Sequence, residues 1–191
     1  NKRIMMINNS QMQREKSDNE LMEEFASCSL DAFKQVYYRY KIKIFNFVLR
    51  NYLQDNDLTE EVLQKTFITV YEYKYRYKKS YMFSTWIYTI AKNLALNEIK
   101  RNKRFIPYEQ NENYRNDTIY ENDKEEILKL VKSIISKMKP DYREVITLRY
   151  FDELSFEEIS LITQKNGNTV RSLARRGLLL IKEEMKKYGY K

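Results

Sequence analysis

The residues whose types and spacing could do chemistry are concentrated in the stretch Tyr81–Arg104, YMFSTWIYTIAKNLALNEIKRNKR. Aromatic and hydroxyl side chains open it: Tyr81, Phe83, Ser84, Thr85 and Trp86. Amides follow at Asn93 and Asn97, then cations at Lys100, Arg101, Lys103 and Arg104. Rings hold unstacked bases at about 1–3 kcal/mol each, and cations neutralise phosphates, so this order suits single-stranded or melting DNA. Helical spacing puts Ile87, Ile90, Ala91 and Leu94 on one apolar stripe, with Ser84 or Thr85 as the cap. Asn93, Asn97, Lys100 and Arg101 share a different face. An ordinary amphipathic helix with a buried Trp86 and a solvated basic end fits the same pattern.

A second set lies near the C-terminus. Ser155-Phe156-Glu157-Glu158 reads as a capping box ahead of a short helix whose buried side is Ile159 and Ile162. The turn Gln164-Lys165-Asn166-Gly167 follows, with Asn166 as the next cap. In the last helix Val170, Ala174, Gly177, Leu178, Ile181 and Met185 form one stripe, while Asn168, Arg171, Ser172 and Arg175 face away from it. Two helices, a tight turn and an outward polar and basic start to the second make a helix-turn-helix, in which Arg can pair with a guanine edge. A plain helical hairpin with a charged surface remains open on pattern alone. Leu178, Leu179 and Leu180 are too many for one core stripe, so Leu179 at least is expected to be exposed or in an interface.

Other chemistry is thinly supported. Glu60 and Glu61 with Gln64, Glu157 with Glu158, and Glu183 with Glu184 could hold a metal for phosphodiester chemistry, but no third ligand stands at a spacing that fixes a site. The chain has no His, which excludes Ser-His-Asp and Cys-His catalysis and every His-dependent metal motif. Its single Cys28 forms no internal disulfide; a small buried hydrophobe in a reduced compartment is expected there.

The elements that position these residues follow from composition and period. Lys and Arg number 35 against 27 Asp and Glu, a net charge of +8 with pI near 9.3, which favours a polyanionic partner. Only 3 Gly and 2 Pro in 191 residues favour helices over a sheet with many tight turns. No apolar run approaches the roughly 20 residues of a membrane span, so no membrane insertion and a cytoplasmic location are expected. Asn1–Ser17 reads as a mobile arm and Asp18–Ser27 as a short helix. Leu30–Tyr52 reads as a long helix with Phe33, Val36, Tyr37, Tyr40, Ile44, Phe47 and Val48 inward. A turn at Gln54–Leu58 precedes a helix capped by Thr59, which ends in a loop over Tyr73–Tyr81. Phe105–Lys124, polar and without period, is a linker. Helices over Glu125–Met138, from Pro140, over Ser155–Thr163 and over Asn168–Lys186 complete the chain. The expected fold is all-α: an arm (1–17), a first helical domain (18–104), a flexible linker (105–124) and a helix-turn-helix domain (125–191).

Phe83, Thr85, Trp86, Ile87, Tyr88, Ile90, Ala91, Lys92, Asn93 and Leu94 resemble, without a gap, the Phe-x-Thr-Trp-Leu-Tyr-x-Ile-Ala-Arg-Asn-Leu run of bacterial sigma factors of the extracytoplasmic-function type. Ala32-Phe33 through Tyr37, Tyr40 and Phe45 is similar to that family's opening helix. Pro140, Arg143, Val145, Leu148 and Arg149, then Leu154–Ser160, then Thr169–Ser172, are similar to its last domain. The resemblance covers about Leu30–Lys187. It implies a non-enzymatic promoter-specificity subunit of RNA polymerase, with core polymerase and promoter DNA as partners, no cofactor, and an anti-sigma protein left open. It implies polymerase clamp contacts at Glu60, Glu61 and Gln64, with Lys65 replacing a usual acid. It further implies −10 DNA contacts at Tyr81, Phe83, Ser84, Trp86, Lys92, Asn93, Asn97, Lys100 and Arg101, and −35 contacts at Asn168, Thr169, Arg171, Ser172, Arg175 and Arg176. Gln164 and Lys165 stand where the family usually has Gly and an apolar residue. The alternatives carried beside it are a free-standing helix-turn-helix regulator and, remotely, a metal-dependent nuclease.

Overall fold

Polar side chains placed just ahead of apolar periods start most of the helices. In the computed structural model, which describes residues 14–80, 82–102 and 123–190, the described residues form helices and no strand. They are α1 Asp18–Ala26, α2 Leu30–Val48, α3 Asn56–Glu72, α4 Phe83–Asn102, α5 Asp123–Ser136, α6 Pro140–Ile146, α7 Phe156–Thr163 and α8 Gly167–Lys187. Ser17 and Glu20 form a capping box on α1, Ser29 caps α2, and Pro140 sits in the first turn of α6. The first thirteen residues of the expected arm and nearly all of the expected linker lie outside the described residues. Asp123 and Lys124, assigned to the linker from sequence, belong to the first turn of α5.

Four local expectations are corrected. Asp55, not Thr59, caps α3: its carboxylate accepts from the Leu58 N–H at 2.8 Å, and α3 begins inside the stretch expected to be a turn. Thr59 is buried within the helix, where its hydroxyl donates to the Asp55 carbonyl at 2.5 Å. Neither Ser84 nor Thr85 caps α4, because the helix starts at Phe83 and both hydroxyls lie inside it. Cys28 is exposed, not buried. It takes the left-handed conformation (φ +70°) that ends the α1 turn and carries its side chain outward.

The helix expected over Leu30–Tyr52 forms but changes its winding. α2 passes at Leu49–Leu53 into a π-helical turn that closes at left-handed Gln54. α6 does the same at Thr147–Phe151. Each wide turn shifts the residues after it around the helix axis, the kind of local irregularity that clusters at functional sites. The two turns face each other: the Arg50 guanidinium lies 5.0 Å from the centre of the Phe151 ring.

Burial drives the packing. Leu21, Met22 and Phe25 of α1, Val36, Ile44 and Phe47 of α2, Val62 and Val70 of α3, and Ile87, Tyr88 and Ala91 of α4 build the first domain's interior. Each large apolar side chain contributes about 1.5–3 kcal/mol on leaving water. Val145, Leu148, Ile159, Ile162, Val170 and Ala174 build the second, and the two interiors join in one cluster across α4 and α7. A smaller cluster of Ile135, Met138 and Ile146 holds α5 and α6 against α8. Gly177 allows that approach, since a Cβ there would stand 2.8 Å from Cγ1 of Ile146.

Candidate nucleic-acid interface

The outer face of α4 carries Asn93, Asn97, Lys100 and Arg101, all exposed along one side, as the helical spacing predicts. The aromatic mouth behaves differently. Phe83 is 1% exposed, and its ring packs on Tyr40 at 5.1 Å, Tyr77 at 5.8 Å and Trp86 at 6.0 Å. In this arrangement it is a core residue and offers no face to a base. Trp86 is half-buried beside Tyr77, with ring centres 5.5 Å apart. Tyr81 lies outside the described residues. The rings that do reach the surface belong to the preceding segment: Lys74 sits 4.7 Å from the Tyr71 ring and 5.2 Å from Tyr75, and Arg76 sits 4.7 Å from Tyr73. Burial pushes the Tyr77 hydroxyl up to about 12, with Asp18 and Glu23 adding to the shift, so it stays protonated and donates to Asn19.

At the other end of the chain the helix-turn-helix is built as its sequence predicts. Ser155 and Glu158 cap α7 reciprocally. Gln164 takes the left-handed conformation (φ +57°, ψ +31°) that glycine adopts most cheaply, and the Lys165 N–H closes onto the Ser160 carbonyl at 3.2 Å. The side chain of Lys165 turns to Asp141 at 3.2 Å, so the turn needs neither Gly nor an apolar residue. Asn166 accepts from the Thr169 N–H at 2.8 Å and starts α8. Asn168, Thr169, Arg171, Ser172, Arg175 and Arg176 are all exposed at its N-terminal end. Arg171 rests on Glu157 at 3.0 Å and lies 5.7 Å from the Phe156 ring. Leu178, placed on the buried stripe from sequence, is 43% exposed like its neighbours Leu179 and Leu180. Gly177 takes the contact with α6 in its place. Leu178 and Leu179 line an open apolar cleft with Tyr150 and Phe156, and Arg171 and Arg175 stand on its rim.

On α3, Glu60, Glu61 and Gln64 are exposed. Glu61 pairs with Lys65 at 3.2 Å, and Glu158 is used by the α7 cap.

Two family models match the chain: "Sigma-70 region 2" over residues 37–105 and "Sigma-70, region 4" over residues 128–181. The ECF RNA polymerase sigma-E factor of Escherichia coli is 30% identical over 174 residues, covering 84% of this chain and 90% of that protein. The chain belongs to the sigma-70 family, as an extracytoplasmic-function RNA polymerase sigma factor. It is also similar to the sigma factor CarQ of Myxococcus xanthus, 26% identical over 85% of this chain and 94% of that protein. In fold it is similar to CnrH, solved with the cytosolic domain of CnrY (TM-score 0.65, 19% identity, 90% of this chain and 99% of that one). The sigma factor RpoE of Bartonella quintana, solved with the anti-sigma factor NepR, is likewise similar (TM-score 0.67, 18% identity, 82% and 98%). Sigma factors direct core RNA polymerase to promoters and are in general not enzymes. No described helix is long and apolar enough to cross a membrane.

In this sigma factor the helix matched to region 2 is in contact with the domain matched to region 4. Glu144 of α6, 8% exposed, accepts on one oxygen from Lys92 of α4 at 2.7 Å and from the Tyr52 hydroxyl at 2.5 Å. Burial, then the neighbouring carboxylate, pushes the Tyr52 hydroxyl far above its ordinary range and keeps it a donor. Ser84 donates to Glu158 of α7. Burial would raise that carboxyl, but the bonds from Ser84 and from the Ser155 backbone and hydroxyl hold it below its ordinary value. The Arg143 guanidinium donates to the Arg50 carbonyl at 3.2 Å. Tyr88, wholly buried, faces Asp152, yet neither its hydroxyl oxygen nor Oδ2 of Asp152 completes a well-aligned hydrogen bond. Burial raises the Asp152 carboxyl to about 7, against the opposing pull of Tyr88, Arg50 and Lys43. Glu144, Asp152 and Tyr52 are not singled out by the sequence, and Tyr88 stands in the resembling run with no role of its own. Their partners lie in the other domain, and no local period marks them.

Proposed function

We propose that the two domains divide the work of promoter recognition. The exposed polar face of α3 (Glu60, Glu61, Gln64) docks on the polymerase clamp. Asn93, Asn97, Lys100 and Arg101 of α4, with Tyr81 and Trp86, hold the melted −10 strand. The start of α8 enters the −35 major groove, with Asn168, Thr169, Arg171, Ser172, Arg175 and Arg176 facing bases and phosphates. The observation that carries this reading is the pair of outward polar and basic faces, one on each matched region, each starting or running along a single helix. Phe83 serves as packing beneath the −10 surface. Lys92 and Ser84 join that surface only when Glu144 and Glu158 release them, because each is taken up by the second domain in the closed arrangement. The segment outside the described residues at 103–122 links the two surfaces. The chain carries no catalytic group of its own and works in the cytoplasm. An anti-sigma protein is a further partner in this reading, since the Bartonella RpoE was solved with the anti-sigma factor NepR bound.

The test is transcription in vitro. The purified chain, mixed with core polymerase on genomic fragments, is expected to comigrate with core and to start transcripts at discrete sites. Tight sequence-specific duplex binding in the absence of core, with no comigration and no transcripts, would replace this reading with that of a free-standing regulator.

A further inference from the structure

Glu98 is the polar residue on α4 that the interface leaves unexplained. It lies three residues before Arg101, yet its side chain is only 5% exposed. Buried carboxylates are rare unless paired. Glu98 has two cationic neighbours from two helices: Arg101 at 2.6 Å on its own helix, and Lys65 of α3 at 3.7 Å. Its Oε1 makes no aligned hydrogen bond. Glu61 closes the arrangement from outside, 3.2 Å from Lys65 and 3.9 Å from Arg101. Two acids and two bases thus alternate around a square, one corner buried and three at the surface, with side-chain exposures of 51% for Glu61, 44% for Lys65 and 58% for Arg101. Lys65, the cation standing where a usual acid was noted, is what allows the square to form.

We propose that Glu98 is a positioning residue that couples the polymerase-facing surface of α3 to the DNA-facing end of α4; this rests on the roles given above to Glu61 and Arg101. The physical argument concerns shared charges. While Glu61 is free, its carboxylate screens both cations of the square. When a cationic partner surface takes Glu61, one buried acid is left to serve two cations, and Arg101 becomes a better phosphate ligand. In the other direction, a phosphate on Arg101 leaves Glu61 with one neighbour instead of two and readier to meet a partner. Reciprocity follows from linkage. Glu98 anchors the exchange, because it is buried and cannot leave with either partner; it holds Arg101 and Lys65 at fixed places while Glu61 changes hands.

The experiment measures the dissociation constant of the full chain for core polymerase with and without a saturating fluorescein-labelled single strand of 20 random nucleotides. The parent is expected to bind core about fivefold more tightly when the strand is present. Glu98→Gln, with helix content checked by circular dichroism, is expected to bring that ratio close to one. Glu61→Gln, which imitates removal of the acid, is expected to raise the core-free chain's affinity for the strand, and to do so only while Arg101 is intact. If Arg101→Gln leaves strand affinity unchanged, the assignment of α4 fails and the proposal falls with it. If Arg101→Gln weakens binding but Glu98→Gln keeps the parental ratio, the coupling alone is overturned and the surfaces stand. Should Glu98→Gln fail to fold, Lys65→Gln removes the α3 corner from the surface and must collapse the ratio in the same way; an unchanged ratio there overturns the proposal.

Discussion

Glu144→Gln should loosen the contact between the two domains without unfolding either. The parent Glu144 has 11% of its side chain exposed and Lys92 has 15%, so their 2.7 Å pair is largely removed from water. Removing one member of a buried pair costs about 3–5 kcal/mol when the other must stay buried. Lys92 is not so confined, because separating the domains returns it to solvent. Gln also keeps an acceptor for the Tyr52 hydroxyl, now 2.5 Å from the carboxylate. What is lost is the ionic part of one charge-assisted contact, about 2 kcal/mol, or roughly a 30-fold fall in the ratio of closed to open molecules.

The assay is single-molecule energy transfer between dyes on Lys34→Cys and Glu183→Cys, both exposed positions on α2 and α8, with the exposed Cys28 replaced by Ser. Lys92→Gln should give a shift of the same size. The double variant should open little further than either single one, since both remove one interaction. A closed-to-open ratio within twofold of the parent in Glu144→Gln would refute the reasoning, and would mean that apolar contact across α4 and α7 holds the domains unaided.

Asp152 should make closure depend on pH. With its carboxyl raised to about 7 by burial, Asp152 keeps in the closed protein a proton that it sheds near its ordinary value once opening returns it to water, so this group favours closure most below about pH 4 and its contribution is lost as pH rises through 7. The span corresponds to at most about 4 kcal/mol; the energy-transfer ratio from pH 5 to pH 8 should show the fall, and Asp152→Asn should flatten it. Gly177→Ala pushes a Cβ to within 2.8 Å of Ile146 and should lower stability by about 1–3 kcal/mol, read as a lowered midpoint in thermal unfolding. Arg171→Ala should cost about 1–3 kcal/mol and relax preference at one −35 position, whereas Arg175→Ala should weaken all sequences alike and lower the salt slope by about one. Selection from randomised −35 elements separates the two, and a pair of variants indistinguishable from the parent would remove α8 from DNA recognition.

Most of the fold was legible because most of its determinants are local. The capping box at Ser155 and Glu158, the Asn166 cap and the Pro140 start are read within three or four residues, and the structure keeps each of them. The misses arise where two local rules compete. Thr59 and Ser84 are good capping residues by type, but each lies a few residues too late, and each hydroxyl finds another acceptor: the Asp55 carbonyl for Thr59 and the Glu158 carboxylate for Ser84. The π-helical turns after α2 and α6 leave no mark on a periodic pattern, since one added residue looks like ordinary drift in the apolar stripe.

The candidate site divides along the same line. The exposed faces of α4 and α8 were visible because a single helix carries each, and a period of 3.6 residues sorts outward side chains from inward ones. The roles of Phe83 and Lys92 were not visible, for they depend on what lies opposite. Phe83 matches a position expected to meet bases, yet Tyr40 and Tyr77 from other segments enclose it. Lys92 meets Glu144 52 residues further on, and Tyr52 meets the same carboxylate across 92 residues. Nothing in the spacing of either pair distinguishes them from the many other cations and acids of a chain with 35 of one and 27 of the other. What the sequence pattern does supply is the direction in which each helix faces. The identity of the partner on that face, a second domain or a DNA strand, is decided by tertiary contact. On the function proposed above, the same lysine cannot serve Glu144 and a phosphate at once, so exchange between them is the step at which the closed chain and the DNA-bound one would part.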